Sequence, residues 1–220
     1  MPIICFEGAS AVGKSSTSKL LKEKFNAFTI DEVNKLFERP NNAATTWYFE
    51  RQVERVSIAI SEIIYHEIVI LDGDPFQPLW YNWCYDFIGW QPLEALDHFY
   101  REVISKGQIK FPDQYFYLHT DEEELRKRKE HDSNSKRANF EKHLQFIRPQ
   151  RAYFDYMNQL EPTLVKFINA TTVNNNAETI VSFLKESRFK RKPDLELYDG
   201  LIEWLKRNKA SDFVSSTRSE

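Results

Sequence analysis

Residues 3–25 constrain the fold most, because they combine a short apolar strand, a glycine loop and a helix. Ile3-Ile4-Cys5-Phe6 is an apolar run suited to a buried parallel strand. Gly8-x4-Gly13-Lys14-Ser15 follows as a complete phosphate-binding pattern, and residues 17–25 carry apolar side chains at helical spacing. Because strand, loop and helix follow one another directly, the sequence predicts a parallel α/β sheet with a phosphate-binding loop.

The loop residues have separable roles. The glycines let successive backbone N–H groups point into one concavity, and the following helix adds its positive end there. We expect Lys14 to reach the β- and γ-phosphates and the Ser15 hydroxyl to bind a Mg²⁺ ion that bridges them. Ser16 and Thr17 are within reach of the α-phosphate, or are ordinary first-turn residues. The predicted nucleotide-binding residues of the loop are Gly8, Ala9, Ser10, Ala11, Val12, Gly13, Lys14, Ser15 and Ser16.

Composition excludes several classes of protein. The 220 residues carry a net charge of −3 with scattered basic residues, which argues against a nucleic-acid partner. Cys5 and Cys84 are too few and too far apart for a disulfide framework or a metal cluster, as in a cytoplasmic protein. The N-terminal apolar run is only a strand long, so we expect neither a signal peptide nor a membrane span.

Apolar strands alternate with helical segments along the chain, which predicts a doubly wound parallel sheet. The predicted strands are 3–6, 27–30, 68–71, 114–119 and 164–168. The predicted helices include 17–25, 46–65, one or two within 76–106, one ending near residue 160, and 177–186. We expect a domain at 1–190, a helical appendage at 191–210 and a disordered tail at 211–220. Most aromatic residues of 76–100 are expected in the core, although some would suit a pocket for a flat ligand.

Acidic residues follow the predicted second and third strands, at the sheet edge where ligands of such folds gather. Asp72 suits an acid that supports magnesium, directly or through water. Asp31 or Glu32 would accept a proton from an attacking hydroxyl, and Asp74 is a candidate acceptor contact. Each acid would equally serve as a helix cap, and Asp74-Pro75 would equally begin a helix.

A basic segment, residues 126–137, lies between the fourth and fifth predicted strands. It is interrupted by a polar break without apolar residues, as in a mobile lid of about residues 121–140 that brings arginines to transferring phosphates. Arg126, Arg128 and Arg137 are the candidates. The alternative is an ordinary solvated helix face.

Together, the loop, the acids after the second and third strands and the Arg-x-Arg segment resemble the thymidylate kinase and deoxynucleoside kinase group. The resemblance spans about residues 2–186. It implies a three-layer P-loop NTPase fold with a five-stranded parallel sheet and a helical lid. It further implies that the adenine of ATP lies near the fifth-strand loop, around Asn169 to Thr172, with Asn169 and Ala170 as the binding residues. It also implies that the helix at 46–65 walls the acceptor pocket. The matching acceptor residues on that helix are Trp47, Tyr48, Arg51, Gln52 and Arg55.

The end of the third strand departs from the pattern of this group. It reads Asp72-Gly73-Asp74-Pro75, whereas nucleoside kinases show Glu-Arg-Ser and thymidylate kinases Asp-Arg-Tyr or similar. The departure leaves room for another small hydroxylated or phosphorylated acceptor.

The sequence therefore predicts an ATP- and Mg²⁺-dependent kinase that phosphorylates a hydroxyl or phosphate of a nucleoside or nucleotide. An antibiotic, sugar or vitamin-like alcohol is the alternative acceptor, and a non-catalytic nucleotide-binding regulator is the alternative of another class. A GTPase would show an Asn-Lys-x-Asp motif, which the sequence lacks. The aromatic stretch and the C-terminal helix would furnish an interface for a homodimer.

Overall fold

A computed structural model describes residues 1–131, 140–186 and 192–214, and these residues form one five-stranded, fully parallel sheet. The strand order is β2-β3-β1-β4-β5. The strands are β1 (Ile3–Glu7), β2 (Ala27–Ile30), β3 (Ile68–Asp72), β4 (Gln114–His119) and β5 (Val165–Asn169). Because β1 is central and its Phe6 pairs with Asp72 of β3, the phosphate loop and the third-strand acid leave the same sheet edge.

Helices cover both faces of the sheet. In chain order they are α1 (Lys14–Phe25), α2 (Val33–Leu36), α3 (Trp47–Glu62), α4 (Gln77–Trp83), α5 (Leu93–Ser105), α6 (Glu122–Glu130), α7 (Phe140–Leu144), α8 (Ile147–Leu160), α9 (Val173–Glu186), α10 (Asp194–Arg207) and α11 (Ser211–Val214). Along β1, Ile3 and Cys5 belong to the core beneath α3, α5, α8 and α10, whereas Ile4 and Phe6 belong to the core beneath α1 and α9. This period-two alternation explains why the strands are apolar throughout. The predicted three-layer α/β fold is confirmed.

Local signals account for several helix boundaries. The side chain of Asp121 accepts a hydrogen bond from the Glu124 N–H at 2.7 Å, so it caps α6. Pro92 precedes α5 and separates it from α4. The short helix α2 was not predicted, because four residues are too few to show a helical period.

The C-terminal helices belong to the same core as the sheet. Leu197, Tyr198 and Leu201 of α10 are buried there. The residues predicted as a tail begin with α11, whose Phe213 ring centroid lies 5.8 Å from that of Trp83. Residues 215–220 lie outside the described part of the chain. In the part that is described, no helix combines the length and the apolar character needed to cross a membrane.

Candidate active site

The phosphate loop has the backbone geometry that the sequence pattern requires. Gly8 and Gly13 have φ values of 123° and 107°, and Ala11 also has a positive φ of 70°. A Cβ on Gly8 would lie 2.0 Å from the carbonyl oxygen of Leu118, so only glycine fits there. The Lys14 ammonium donates hydrogen bonds to the carbonyl oxygens of Gly8 at 2.6 Å and Ala9 at 3.2 Å. The Lys14 ammonium is therefore held against the loop, where it is predicted to bind the phosphates of a nucleotide.

A cavity of about 1060 Å³ opens at the carboxyl ends of β1 and β3. All predicted loop residues, 8–16, line it. The other lining residues fall in three ranges of the chain, 7–81, 128–150 and 171–176. They are Glu7, Glu32, Lys35, Asp72, Gly73, Gln77, Trp80 and Tyr81 in the first, Arg128, His131, His143, Phe146 and Gln150 in the second, and Thr171, Thr172, Val173 and Asn176 in the third. One cavity thus contacts the phosphate loop, the strand-end acids Glu7, Glu32 and Asp72, and α6.

Asp72 has the character expected of a magnesium-supporting acid. Its side chain is 6% exposed, and its Oδ2 lies 3.3 Å from the Lys35 ammonium. Its Oδ1 is buried and has no hydrogen-bond partner among the described residues. A carboxylate oxygen left over in this way, together with the Ser15 hydroxyl that lines the same cavity, provides the hard oxygen ligands that Mg²⁺ prefers. This donor set fits Mg²⁺ held jointly by the protein and the phosphates.

Lys35 is a cavity residue that the sequence analysis missed. Besides its contact with Asp72, its ammonium lies 3.9 Å from Asp31. Partial burial acts to lower the pKa of Lys35, but the carboxylates of Asp72, Glu32 and Asp31 outweigh it and raise the pKa above the usual value. Its only sequence signal is its spacing of four residues from Asp31, which is weak without a visible helical period.

The structure separates the two acids that follow β2. The Asp31 side chain is 56% exposed and paired with Lys35, and Asp31 is not among the residues that line the cavity. Glu32 lines the cavity opposite Gly73. Of the two candidates for the proton acceptor, Glu32 is therefore the one beside the reaction space.

The predicted acceptor residues of α3 lie behind the cavity wall. Arg55 is 1% exposed and donates hydrogen bonds to the carbonyl oxygens of Asp31 at 2.9 Å, Asp72 at 2.7 Å and Gly73 at 3.2 Å. It also donates to the Oε1 of Gln52. Arg55 therefore fixes the ends of β2 and β3 relative to each other.

The remaining α3 candidates also lie outside the cavity lining. The Tyr48 hydroxyl donates to Gln77 Oε1 at 2.8 Å and so contacts a cavity residue from behind. Arg51 pairs with Glu54, and its guanidinium lies 5.9 Å from the ring centroid of Trp47. The α3 residues therefore support the wall, and α4 forms its surface.

Two buried carboxyl groups lie beneath the loop. Asp74 is fully buried, and its Oδ1 accepts hydrogen bonds from the Phe76 N–H at 3.0 Å and the Tyr115 hydroxyl at 2.8 Å. Burial raises the pKa of Asp74 to about 6. Glu7, which the sequence analysis did not single out, lines the cavity, and burial followed by the charge of Asp74 raises its pKa to about 8.

Aromatic side chains form the cavity wall opposite the loop. The Tyr81 ring centroid lies 6.0 Å from that of Phe146 and 6.4 Å from that of His143. Tyr85 and Trp90 extend the cluster, with centroids 5.3 and 5.6 Å from that of Tyr81. The aromatic stretch at 76–100 thus contributes to both core and pocket, whereas Phe146 had no distinguishing sequence signal.

The two arginines of α6, the helix at the start of the predicted lid, lie in different environments. Arg128 lines the cavity and donates to the carbonyl oxygens of Val12 at 3.0 Å, Ala170 at 2.9 Å and Thr171 at 3.1 Å. Arg126 is exposed and pairs with Glu122 and Glu141. Arg137 lies outside the described residues. Arg128 therefore bridges the phosphate loop and the segment after β5.

That segment contacts the cavity in the second half of the predicted range, 169–172. Asn169 is exposed and Ala170 is buried, and neither is among the lining residues. Thr171 and Thr172 line the cavity with Asn176, whose Oδ1 accepts a hydrogen bond from the Thr171 N–H at 3.2 Å.

Comparison with known proteins shows similarity at the level of structure. No family model matches the sequence, and no curated protein matches it. A deoxyadenosine kinase from M. mycoides with bound dATP superposes with a TM-score of 0.55 at 16% identity, covering 84% of this chain and 100% of that chain. A thymidylate kinase from Candida albicans gives a TM-score of 0.54 at 15% identity, covering 84% of this chain and 91% of that chain.

These similarities confirm the predicted fold, that of the thymidylate kinase and deoxynucleoside kinase group. At such low identity they show the fold alone. The chemistry must be argued from the residues of the cavity.

Proposed function

We propose that this protein is an ATP-dependent small-molecule kinase, which transfers the γ-phosphoryl group to a hydroxyl or phosphate of a nucleoside or nucleotide. One observation carries the proposal: the phosphate loop lines the same cavity as Glu32 and Asp72. Phosphoryl transfer needs a cradle for the triphosphate, support for a metal ion and a group that orients the acceptor, all within reach of one another.

The donor half binds ATP through the loop. The loop N–H groups and Lys14 bind the phosphates and stabilise the charge on the transferring group. Arg128 holds the loop against the segment after β5, where Thr171, Thr172 and Asn176 are positioned to contact the adenine. Ser15 and Asp72 would hold Mg²⁺, which neutralises negative charge on the phosphates when it is bound.

The acceptor half supplies a base and an aromatic surface. Glu32 accepts the proton of an attacking hydroxyl, and Lys35 holds the adjacent Asp72 carboxylate in place through their ion pair. A planar ring of the acceptor stacks on Tyr81 and Phe146, while the amide of Gln77 contacts its polar edge. The neighbouring structure of a deoxyadenosine kinase with bound dATP supports a nucleoside as acceptor.

We further propose that the protein acts in the cytoplasm and binds neither nucleic acid nor membranes. Its described cysteines, Cys5 and Cys84, are free thiols, which suits a reducing compartment. Homodimer formation remains part of the proposal, and sedimentation of the purified protein tests it.

Acceptor-dependent release of ADP tests the proposed function. The purified protein is incubated with ATP, Mg²⁺ and a panel of nucleosides, nucleoside monophosphates, aminoglycosides and phenolic alcohols. We expect ADP release to be stimulated by ring-bearing acceptors, most strongly by nucleosides or their monophosphates. ATP binding without stimulation by any acceptor would instead identify a nucleotide-binding regulator.

A further inference from the structure

We infer that Glu7 is a positioning residue, whose single carboxyl group couples the phosphate loop to both walls of the acceptor half. The inference rests on the proposed function, because it assigns a role to Glu7 within that same cavity. Glu7 is the last residue of β1 and is 4% exposed. Its Oε1 accepts a hydrogen bond from the Asp74 N–H at 2.7 Å. Its Oε2 accepts from Gln150 Nε2 at 2.8 Å and from the Gly8 N–H at 3.3 Å.

Each partner of Glu7 leads to a different part of the cavity. Gly8 begins the phosphate loop, at a position where only glycine fits against the Leu118 carbonyl oxygen. Asp74 begins the turn into α4, which carries Tyr81 and the rest of the first acceptor wall. Gln150 lies in the first turn of α8, and its N–H donates to the carbonyl oxygen of Phe146 at 2.8 Å.

Gln150 is itself held in a fixed orientation. Its Oε1 accepts a hydrogen bond from the Tyr117 hydroxyl at 3.2 Å, so its amide N–H can only point toward Glu7. The ionised Glu7 carboxyl group is thus a common acceptor for the three segments. Precise placement of reacting groups is where most of the rate enhancement of phosphoryl transfer arises, so a loss of this link should affect the kinetics more than the stability.

The substitution Glu7→Gln tests the coupling without a change in volume. The carboxamide oxygen introduced by this substitution can still accept from the Asp74 N–H, but its NH₂ group would then face the Gln150 amide and the Gly8 N–H, which are both donors. At about pH 9, above the pKa of about 8 to which burial raises Glu7, the wild-type group is an acceptor only. At this pH we expect the dissociation constant for Mg²⁺–ATP to rise about fivefold and kcat/KM for the acceptor to fall about 30-fold, with the thermal midpoint not lowered. The same chemical change at Glu102, which is exposed on α5 and pairs with Lys106, serves as the matched control.

The double variant Glu7→Gln/Gln150→Glu restores a donor–acceptor pair between the two side chains in reverse. We expect the double variant to recover most of the acceptor kcat/KM but not the affinity for ATP, because Gly8 still faces a donor. The single substitution Gln150→Glu brings two carboxyl groups together, so it should not reach the activity of the double variant. Unchanged kinetic constants in Glu7→Gln, or effects of the two substitutions that merely add, would overturn the inference.

Failure of the proposed function is distinguishable from failure of this inference. If the unaltered protein turns over no acceptor, the proposed function fails, and the Mg²⁺–ATP titration decides the inference by itself. In that case an unchanged dissociation constant for Mg²⁺–ATP in Glu7→Gln overturns the inference, and an increased dissociation constant supports it.

Discussion

The two halves of the cavity are built in different ways. In the proposed site, the donor half depends mainly on one continuous segment, residues 8–16, whereas the acceptor half is assembled from α2 with the residue before it, β3, α4, α7 and α8. A local motif fixes the geometry of the first half. Packing between distant segments fixes the second, so the donor half resists change and the acceptor half can be varied. The following predictions test this division, from the largest expected effect to the smallest.

Substitution of Lys14 by alanine should abolish the donor function. Lys14 contributes the only side-chain charge of the phosphate loop itself, so we expect acceptor-dependent ADP formation to fall about 10³-fold. The measurement is steady-state ADP release. Lys19→Ala, on the exposed face of α1, should keep nearly full activity, and comparable losses in both variants would contradict the role of Lys14.

Substitution of the two acids after β2 should separate their roles. We expect Glu32→Gln to lower kcat about 10²-fold, since Glu32 lines the cavity, and Asp31→Asn to lower it by no more than about threefold. Both values come from the same kinetic assay with a hydroxyl acceptor. A larger effect of Asp31→Asn would assign the proton acceptor to Asp31.

The two lid arginines provide a matched pair. Arg128→Ala removes one hydrogen bond to the phosphate loop and two to the segment after β5, so we expect the KM for ATP to rise about tenfold. Arg126→Ala removes only exposed ion pairs and should leave the KM for ATP nearly unchanged. Equal effects of both substitutions would show that the charge of the helix matters more than the bridge made by Arg128.

The acceptor wall can be tested from its front and its back. Tyr81→Leu should raise the KM of a ring-bearing acceptor about fivefold while leaving the KM for ATP unchanged, because a stacking surface is lost. Arg51→Ala, outside the cavity lining, should leave both values unchanged. An effect of Arg51→Ala on the acceptor alone would return the acceptor site to α3.

The stability of the protein should fall as the pH rises. The pKa of Glu7 is about 8 in the fold instead of its ordinary 4.5, so the folded protein binds more protons than the unfolded chain between these values. The folded state therefore loses stability as the pH rises through this range, and Asp74, with a pKa of about 6, contributes below that value.

We expect the free energy of unfolding of the unaltered protein, relative to that of Glu7→Gln, to fall by about 2 kcal/mol between about pH 6 and pH 8. Urea denaturation of both proteins at each pH measures this difference. Parallel pH profiles for the two proteins would show that Glu7 ionises normally.

The sequence was sufficient for the fold and for the loop, because apolar runs and the Gly8–Ser15 motif are local signals. The acceptor residues on α3 were implied by the resemblance to the kinase group and not by a pattern in the residues themselves. The structure inserts α4 between α3 and the cavity, and Arg55 satisfies backbone carbonyl oxygens instead of lining the cavity. Lys35, Glu7 and Phe146 are brought to the cavity by tertiary packing, which leaves no periodic pattern in the chain.

The packing of α4 against the C-terminal helices has a consequence for biosynthesis. Trp83 of α4 donates its indole N–H to the carbonyl oxygen of Asn208 and packs against Trp204 and Phe213. The ribosome makes these partners more than a hundred residues after α4, when the phosphate loop has long left the exit tunnel. During translation, the face of α4 that carries Trp83 therefore remains without these partners until α10 and α11 have been synthesised.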